Sequence, residues 1–407
     1  MPPDNGKVIW IINHYAGSRI HGMEYRHYYL ARHFARLGLR PAIVCASFHH
    51  LLTKLPDSAG AEVDGVPYLW IKACRYRGNN VKRVLNMLEF SARLWRRRLR
   101  PLPRPDVVIA SSPHPFAALN GHRFAKRYRA KFIFEVRDLW PLTVMELGGY
   151  SARHPFIQAM ASAERFAYEH CDYTVSLCPG AKPYMVAHGL AEEKFVHIPN
   201  GFDVEAAQRV DELPAIHAEL FQSLRREGKL IVLYSGNHGL ANALEHVVAA
   251  ATLLGDELGI HFVLVGQGPE KAALETSAHQ AGLKNLTFLP PVTRTQMPAL
   301  TREADIGYIG LQKKELFKYG VSPNKLFEYM AAGLPIIFAI DTLYDKVSEA
   351  QCGFSLPAED PQALANVLRE IRQGPRERLA EMGRRGRQYL LQNHTYELLA
   401  RQYTDLF

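Results

Sequence analysis

Tyr319-Gly-Val-Ser-Pro-Asn-Lys-Leu-Phe-Glu-Tyr-Met-Ala-Ala-Gly333 is the stretch from which the organisation of this chain is read. Ser322 reads as an N-cap, Pro323 suits the first helical position, and Leu326, Phe327 and Met330 supply an apolar face. Gly333 is a C-terminal stop, and the apolar run Pro335–Phe338 behind it reads as a buried strand. A helix opening on a loop presents free amides and its positive end, an arrangement suited to a diphosphate. Lys325 falls in the first turn, where a cation opposes the helix dipole unless a dianion binds there. Glu328 follows at i+3 and can face the same region, where a carboxylate suits the vicinal hydroxyls of a ribose. An exposed Lys–Glu pair on an ordinary amphipathic helix has the same spacing, so the pair alone does not decide a function.

Outward from this segment the chain alternates strand, loop and helix. Val8–Ile12, Pro41–Ala46, Val107–Ala110, Lys131–Glu135 and Tyr173–Leu177 read as strands of a first series, with a helix near Glu24–Leu37 ended by Gly38. After Ile198-Pro-Asn-Gly-Phe-Asp203 and a polar stretch, a second series runs through Leu230–Tyr234, His261–Val265, Leu286–Leu289, Ile306–Ile309 and Pro335–Phe338. Such alternation predicts parallel sheets covered on both faces, with ligands at the carboxyl ends of the strands. The expectation is an α/β protein of two Rossmann-like, doubly wound domains facing across a cleft. Residues 1–203 would bind an acceptor and 204–385 a nucleotide, with a helical segment 386–407 packing back on the first domain.

Composition agrees with two ordinary domains: 407 residues, 47% hydrophobic and 22% charged. The cysteines Cys45, Cys74, Cys171, Cys178 and Cys352 are scattered and form no C-x-x-C pair, which argues against a disulfide framework or a cysteine-rich zinc site. No apolar run reaches the length of a transmembrane helix, so the expected place is the cytoplasm, at most peripheral to a membrane. The net charge of +9 is uneven: residues 75–104 carry ten Arg and Lys against the single acid Glu89. Within that run Val81, Val84, Leu85, Leu88, Ala92 and Trp95 recur at helical spacing. Two readings stay open, a basic amphipathic helix on an anionic membrane surface and a core-facing helix with a solvated basic back. No module for nucleic acid surrounds the charge.

With Phe134-Glu-Val-Arg-Asp-Leu-Trp-Pro141, Ile198-Pro-Asn-Gly-Phe-Asp203 and Val265-Gly-Gln-Gly-Pro-Glu270 in order ahead of it, the opening segment resembles the C-terminal signature of family 4 retaining glycosyltransferases of GT-B fold. The resemblance is nearest to the bacterial WbuB-like subgroup that builds O-antigen and other surface polysaccharides. It implies transfer of a sugar from a nucleotide-sugar donor, with uridine ranked first, to a lipid-linked or oligosaccharide acceptor. In the family two glutamates eight positions apart frame the donor; the second matches Glu328, while the first falls on Gly320. The loop Ser235-Gly-Asn-His-Gly239 also lacks the arginine and lysine that often pair with the diphosphate, leaving Lys325 as the formal countercharge. Donor contacts are thus expected from Gly236, Asn237, Gly239, Gly266, Val292, Ser322, Asn324, Lys325 and Glu328, with the helix beyond Gly239 offering its N-terminus.

Arg137 stands where the family often has histidine, so Arg137, Asp138 and Lys325 are assigned the catalytic part, orienting the sugar and stabilising developing charge. Arg19, His21, Gly22, Glu24 and Arg26, at the carboxyl end of the first strand, would meet an anionic acceptor such as a lipid diphosphate. His114, alone in its motif, is read as structural. Gly266 and Gly268 give half of a dinucleotide fingerprint, but Lys271 occupies the third glycine position and makes an NAD enzyme a poor fit. The absence of D-x-D and of paired metal-ligand spacing leads us to expect no metal and no other cofactor. A nucleotide-sugar 2-epimerase of the same architecture and a non-catalytic glycan-assembly partner are the rival readings.

Overall fold

The strand Val66–Ile71 joins the sheet beside Arg40–Ala46 through a short hairpin that the alternation along the chain did not announce. The computed structural model describes residues 6–22, 24–78, 80–96, 99, 101–255 and 259–407, with Ala206 described by its backbone alone. It divides into two compact units, 1–200 with 396–407, and 201–395.

The first unit holds β1 (Val8–Asn13), β2 (Arg40–Ala46), β3 (Gly60–Val63), β4 (Val66–Ile71), β5 (Val107–Ser111), β6 (Lys131–Val136), β7 (Tyr173–Ser176) and β8 (Phe195–His197). Their order in the sheet is β3-β4-β2-β1-β5-β6-β7-β8, parallel throughout except for the antiparallel β3–β4 pair. That hairpin turns on Asp64 and Gly65, both at positive φ, the conformation an Asp-Gly pair favours between strands. β1 and β5 are buried along their whole length, as central parallel strands require. The chain order reverses between β1 and β5, so their carboxyl ends form the switch point of this sheet.

The second unit holds β9 (Leu230–Asn237), β10 (Ile260–Gln267), β11 (Leu286–Leu289), β12 (Ile306–Gly310), β13 (Ile336–Ala339) and β14 (Gly353–Leu356), in the order β11-β10-β9-β12-β13-β14. All the pairings are parallel, and the switch point lies between β9 and β12. Two apolar clusters cover its faces: one contains Val232, Phe262, Leu264 and Leu368, the other Ile231, Val263, Phe327 and Leu390.

The units divide at 200/201 rather than after 203, and the tail that joins the first unit begins at Tyr396 rather than at 386. The reason is packing. The helix Arg376–Asn393 lies on Asn324–Ala332 within the second unit, so closely that a Cβ on Gly383 would come within 1.8 Å of the Gly333 carbonyl oxygen. Only the helix Tyr396–Thr404 lies on Arg26–Arg36 of the first unit, with the Tyr29 and Tyr396 rings 5.2 Å apart.

Candidate active site

In the second unit the side chains of β9 stay buried through Ser235, and the strand then runs out into Gly236 and Asn237 at the switch point. Gly236 has φ +142°, and a Cβ there would stand 3.2 Å from Lys325 Nζ. The lysine ammonium therefore lies against bare backbone, 3.8 Å from the centroid of the Tyr234 ring. The Tyr234 hydroxyl in turn donates to the Asn237 carbonyl at 2.6 Å, which fixes the ring under the loop. Lys325 is half-buried, and the salt bridges among the described residues give it no carboxylate partner. Burial pushes its pKa down to about 7, against the pull of Glu328.

The helix carrying Lys325 is Asn324–Ala332, with Pro323 at the cap position in extended geometry. The cap thus falls one residue later than expected, leaving Ser322 ahead of the helix rather than on it. Gly333 ends the helix in left-handed conformation, as its sequence position implied. Asn324 is exposed, and half-buried Glu328 lies 4.0 Å from Arg294 Nη1, a neighbour the sequence did not suggest. Tyr329, one residue on, accepts from the Ser235 N–H at 2.9 Å and so ties this helix to the end of β9.

The chain just beyond this loop differs from the expectation of a helix there. The segment beyond Gly239 is a 3-10 turn, Leu240–Asn242, and the next α-helix opens on Glu245, an acid at its positive end. His238 in this loop is buried with no hydrogen-bond partner among the described residues, and burial with Lys271 and Lys325 nearby pushes it down to about 4. Lys271 approaches the same loop from below, donating from Nζ to the Gly266 and Leu289 carbonyls at 3.0 Å each. Gly266, at φ +153°, lets β10 run beside β9, since a Cβ would stand 1.9 Å from the Gly236 carbonyl oxygen. Val292 is a partly buried hydrophobic packed on the second-unit core.

In the first unit one expected acceptor residue meets one expected catalytic residue. Glu24 and Arg137 form a pair, Oε2 to Nη2 2.7 Å, with both side chains largely buried. The Arg137 N–H donates to Ser112 Oγ at 2.8 Å, while Arg137 Nε is buried with no hydrogen-bond partner among the described residues. Burial works against its charge, but Glu24, Glu135 and Asp138 hold its pKa above the ordinary value. Asp138 beside it is exposed.

Arg26 is not a surface contact for an acceptor. Its guanidinium is 2% exposed and bonds Glu135 at 2.9 Å, the Pro199 carbonyl at 2.5 Å and the Ile198 carbonyl at 3.0 Å. Glu135 is also held by His27 at 2.8 Å, by Ser111 at 2.6 Å and by the Tyr403 hydroxyl. Burial disfavours its charge, yet Arg26 and His27 keep its pKa well below the usual carboxylate range. One ion pair thus binds β6, the loop at 198–200 and the C-terminal helix together. Arg19 is exposed but engaged with Asp64, at 2.5 and 2.6 Å. His21 is buried with Nδ1 on Ser18 Oγ at 2.9 Å. Gly22 abuts the next loop, where a Cβ would meet the Leu51 carbonyl oxygen at 2.2 Å.

His114 is not alone. With His14 and His49 it forms a buried cluster at the carboxyl ends of β5, β1 and β2, astride the switch point. The His14 and His114 rings are 4.9 Å apart, and His14 and His49 are 6.4 Å apart. His14 Nε2 bonds Asn86 Oδ1 at 2.7 Å, whereas His14 Nδ1 and both ring nitrogens of His114 have no hydrogen-bond partner among the described residues. Burial pushes His49 and His114 down to about 3 and His14 well below its ordinary value, so all three are neutral near pH 7. No periodic signal joins residues 14, 49 and 114. Their common position, just after successive strands, is the clue that would have grouped them.

Comparison with known proteins agrees with this architecture. A profile described as "Glycosyl transferase 4-like domain" matches residues 21–201, and one described as "Glycosyl transferases group 1" matches 216–389. The putative colanic acid biosynthesis glycosyl transferase WcaI of Escherichia coli is 29% identical over 274 residues, 66% of this chain and 66% of that protein, so the match spans just under two thirds of each. The probable glycosyltransferase WbjE of Pseudomonas aeruginosa is 22% identical over 69% of this chain and 70% of its own. Among solved structures, sucrose-phosphate synthase of Thermosynechococcus elongatus superposes with a TM-score of 0.76 at 16% identity, covering 98% of each chain. HepE of Anabaena, solved in complex with UDP-glucose, gives 0.66 at 13% identity, again over 98% of each. At these identities the structural matches speak to the fold alone. Two family profiles in chain order, over two parallel-sheet α/β domains, make this chain a family 4 glycosyltransferase of GT-B fold, related to enzymes of surface polysaccharide synthesis.

Proposed function

We propose that the enzyme moves a sugar, with retention at the anomeric carbon, from a uridine-diphosphate-linked donor to a lipid-linked glycan at the cytoplasmic face of a membrane. The observation that carries this reading is Lys325: a half-buried ammonium with no carboxylate partner in the described salt bridges, set against Gly236 at a strand-end switch point. Placing a cation there is costly without a ligand, and a diphosphate supplies the missing negative charge. Glu328, three residues on, takes the ribose hydroxyls in competition with Arg294. The backbone of Gly236, Asn237 and Gly239 approaches the phosphates, and Ser322, Asn324, Gly266 and Val292 complete the donor contacts. HepE, solved with UDP-glucose, shares the fold and supports a nucleotide-sugar donor.

For the transfer itself we favour front-face displacement, with Lys325 and backbone amides stabilising the departing diphosphate. Arg137, aligned by Glu24, and Asp138 beside it take the catalytic part in the first unit, Arg137 through an Nε that has no hydrogen-bond partner among the described residues. The test is a thermal-shift panel of UDP-, GDP-, dTDP- and CMP-linked sugars on wild type, Lys325→Ala and Glu328→Ala. One base class is expected to raise the melting temperature of wild type by mass action, and both variants are expected to lose that rise. A shift that survives in both variants, or no shift with any base at millimolar ligand, overturns the assignment.

A further inference from the structure

The helix Val81–Arg96 has two apolar faces, and only one is used by the fold. Asn86, Met87, Phe90 and Leu94 are buried against the first unit. The sequence-level stripe is not that face. Val81 is 73% exposed, Leu85 51%, Leu88 43% and Trp95 50%, and Ala92 between them is also exposed. These five positions are spaced 4, 3, 4 and 3 residues apart, one continuous line about 21 Å long at 1.5 Å per residue. A run of outward apolar side chains of that length on a water-facing helix calls for a partner.

Charge selects which partner. Lys82, Arg93 and Arg96 flank the stripe and are exposed. Arg75 and Arg77 precede the helix, and Lys126 and Arg127 stand exposed on the neighbouring helix Phe116–Tyr128. Arg97, Arg98 and Arg100, which extend the basic run in sequence, lie outside the described residues. The acid of this helix, Glu89, is occupied by Arg93 at 2.7 Å and the Cys74 N–H at 2.6 Å. At the far end Trp95 carries the Arg123 guanidinium 5.0 Å from its ring centroid, an amphipathic pair of the kind that sits at a lipid–water boundary. The 4-3-4-3 spacing also suits a helix–helix seam, but a second copy of this helix would face the stripe with flanking charges of the same sign. An anionic surface faces both stripe and flanks favourably.

We propose that the outward face Val81–Leu85–Leu88–Ala92–Trp95 is a docking surface for an anionic lipid bilayer, lying in the plane of the interface with its basic flanks on the headgroups. Docking would carry the switch point of the first sheet to the membrane, because the inner side of the same helix holds Asn86 on His14 at 2.7 Å. The docking face is independent of the donor site, and vesicle binding is read without turnover.

The test uses the full chain with vesicles of phosphatidylcholine alone and of phosphatidylcholine containing about one third phosphatidylglycerol. Flotation is expected with the anionic vesicles and not with the neutral ones, weakening as salt rises. Leu85→Gln with Leu88→Gln, at exposed positions, should leave the melting temperature unchanged and lower the partition coefficient roughly tenfold. Brominated lipid should quench tryptophan emission in wild type, and Trp95→Phe should remove most of that quenching, since Trp10 and Trp70 are buried and Trp140 is half-buried. Equal binding to both vesicle types, unchanged flotation of the double variant, or a dimer in solution that the double variant dissolves would each overturn the proposal.

Discussion

The two switch points of this molecule are built from opposite materials. In the first unit the strand ends are filled by side chains: three buried histidines, and an Arg26–Glu135 pair whose carboxylate also takes His27, Ser111 and Tyr403. In the second unit the corresponding ground is backbone, with Gly236 and Gly266 close together and Lys325 above them. Both contain a cation, and the contrast between those two cations is instructive. Arg26 has a carboxylate and two carbonyls within reach and serves the architecture; Lys325 has an aromatic ring and, among the described residues, no salt bridge to a carboxylate. A basic residue near a strand end therefore says little by itself. What it is paired with decides whether it holds the fold or waits for a ligand.

The largest effect should come from unpairing Arg26. Glu135→Leu leaves a buried guanidinium uncompensated and is expected to cost about 3–5 kcal/mol, seen in urea as an early transition of the first unit. The second unit should melt as before. If the first unit barely moves, the network is not structural and Arg26 returns to the candidate ligand contacts.

Lys325→Met should behave in the opposite sense. Its folded pKa of about 7 lies below the unfolded value near 10.5, so between these limits the unfolded chain binds more protons and wild-type stability rises with pH. The variant removes that slope and, near neutral pH, gains roughly 1–2 kcal/mol from no longer burying a charge. It should also lose the nucleotide-induced shift. Melting curves from pH 6 to 10 with and without nucleotide separate the two effects; a wild-type slope of the wrong sign would break the comparison. Donor affinity of wild type should fall as pH rises through the lysine's range, since the dianion favours the protonated form.

The smallest stability effect should come from His114→Phe. Both ring nitrogens are buried without partners, so an apolar ring of similar shape is expected to be neutral or to stabilise by under about 1 kcal/mol. A clear loss of stability would mean that those nitrogens are satisfied by water, and the first-unit switch point would then be wetter than the contacts imply.

Much of the fold was legible because burial imposes period and composition on a strand. Val8–Ile12, Val107–Ala110 and Leu230–Tyr234 were found within one to three residues of β1, β5 and β9, since central parallel strands must be apolar throughout. The edge strands β8 and β14 were missed: they are short and half-buried and leave little pattern. The β3–β4 hairpin was missed although Asp64-Gly65 is a hairpin turn signal. The place of Lys325 in the first turn of a helix was legible from the sequence. The fate of Arg26 was not, because Glu135 lies 109 residues away and Tyr403 lies 377 away.

Local chemistry written along the chain thus determined the element types, the two-domain plan, the glycine-built crevice and the family. Tertiary structure alone decided which charges are neutralised, which histidines meet, where the returning tail begins, and which face of the basic helix is left in water. The division has a physical reason. Secondary structure follows from backbone and near-neighbour interactions that repeat along the sequence, whereas desolvation and ion pairing depend on distances in space that no linear spacing encodes.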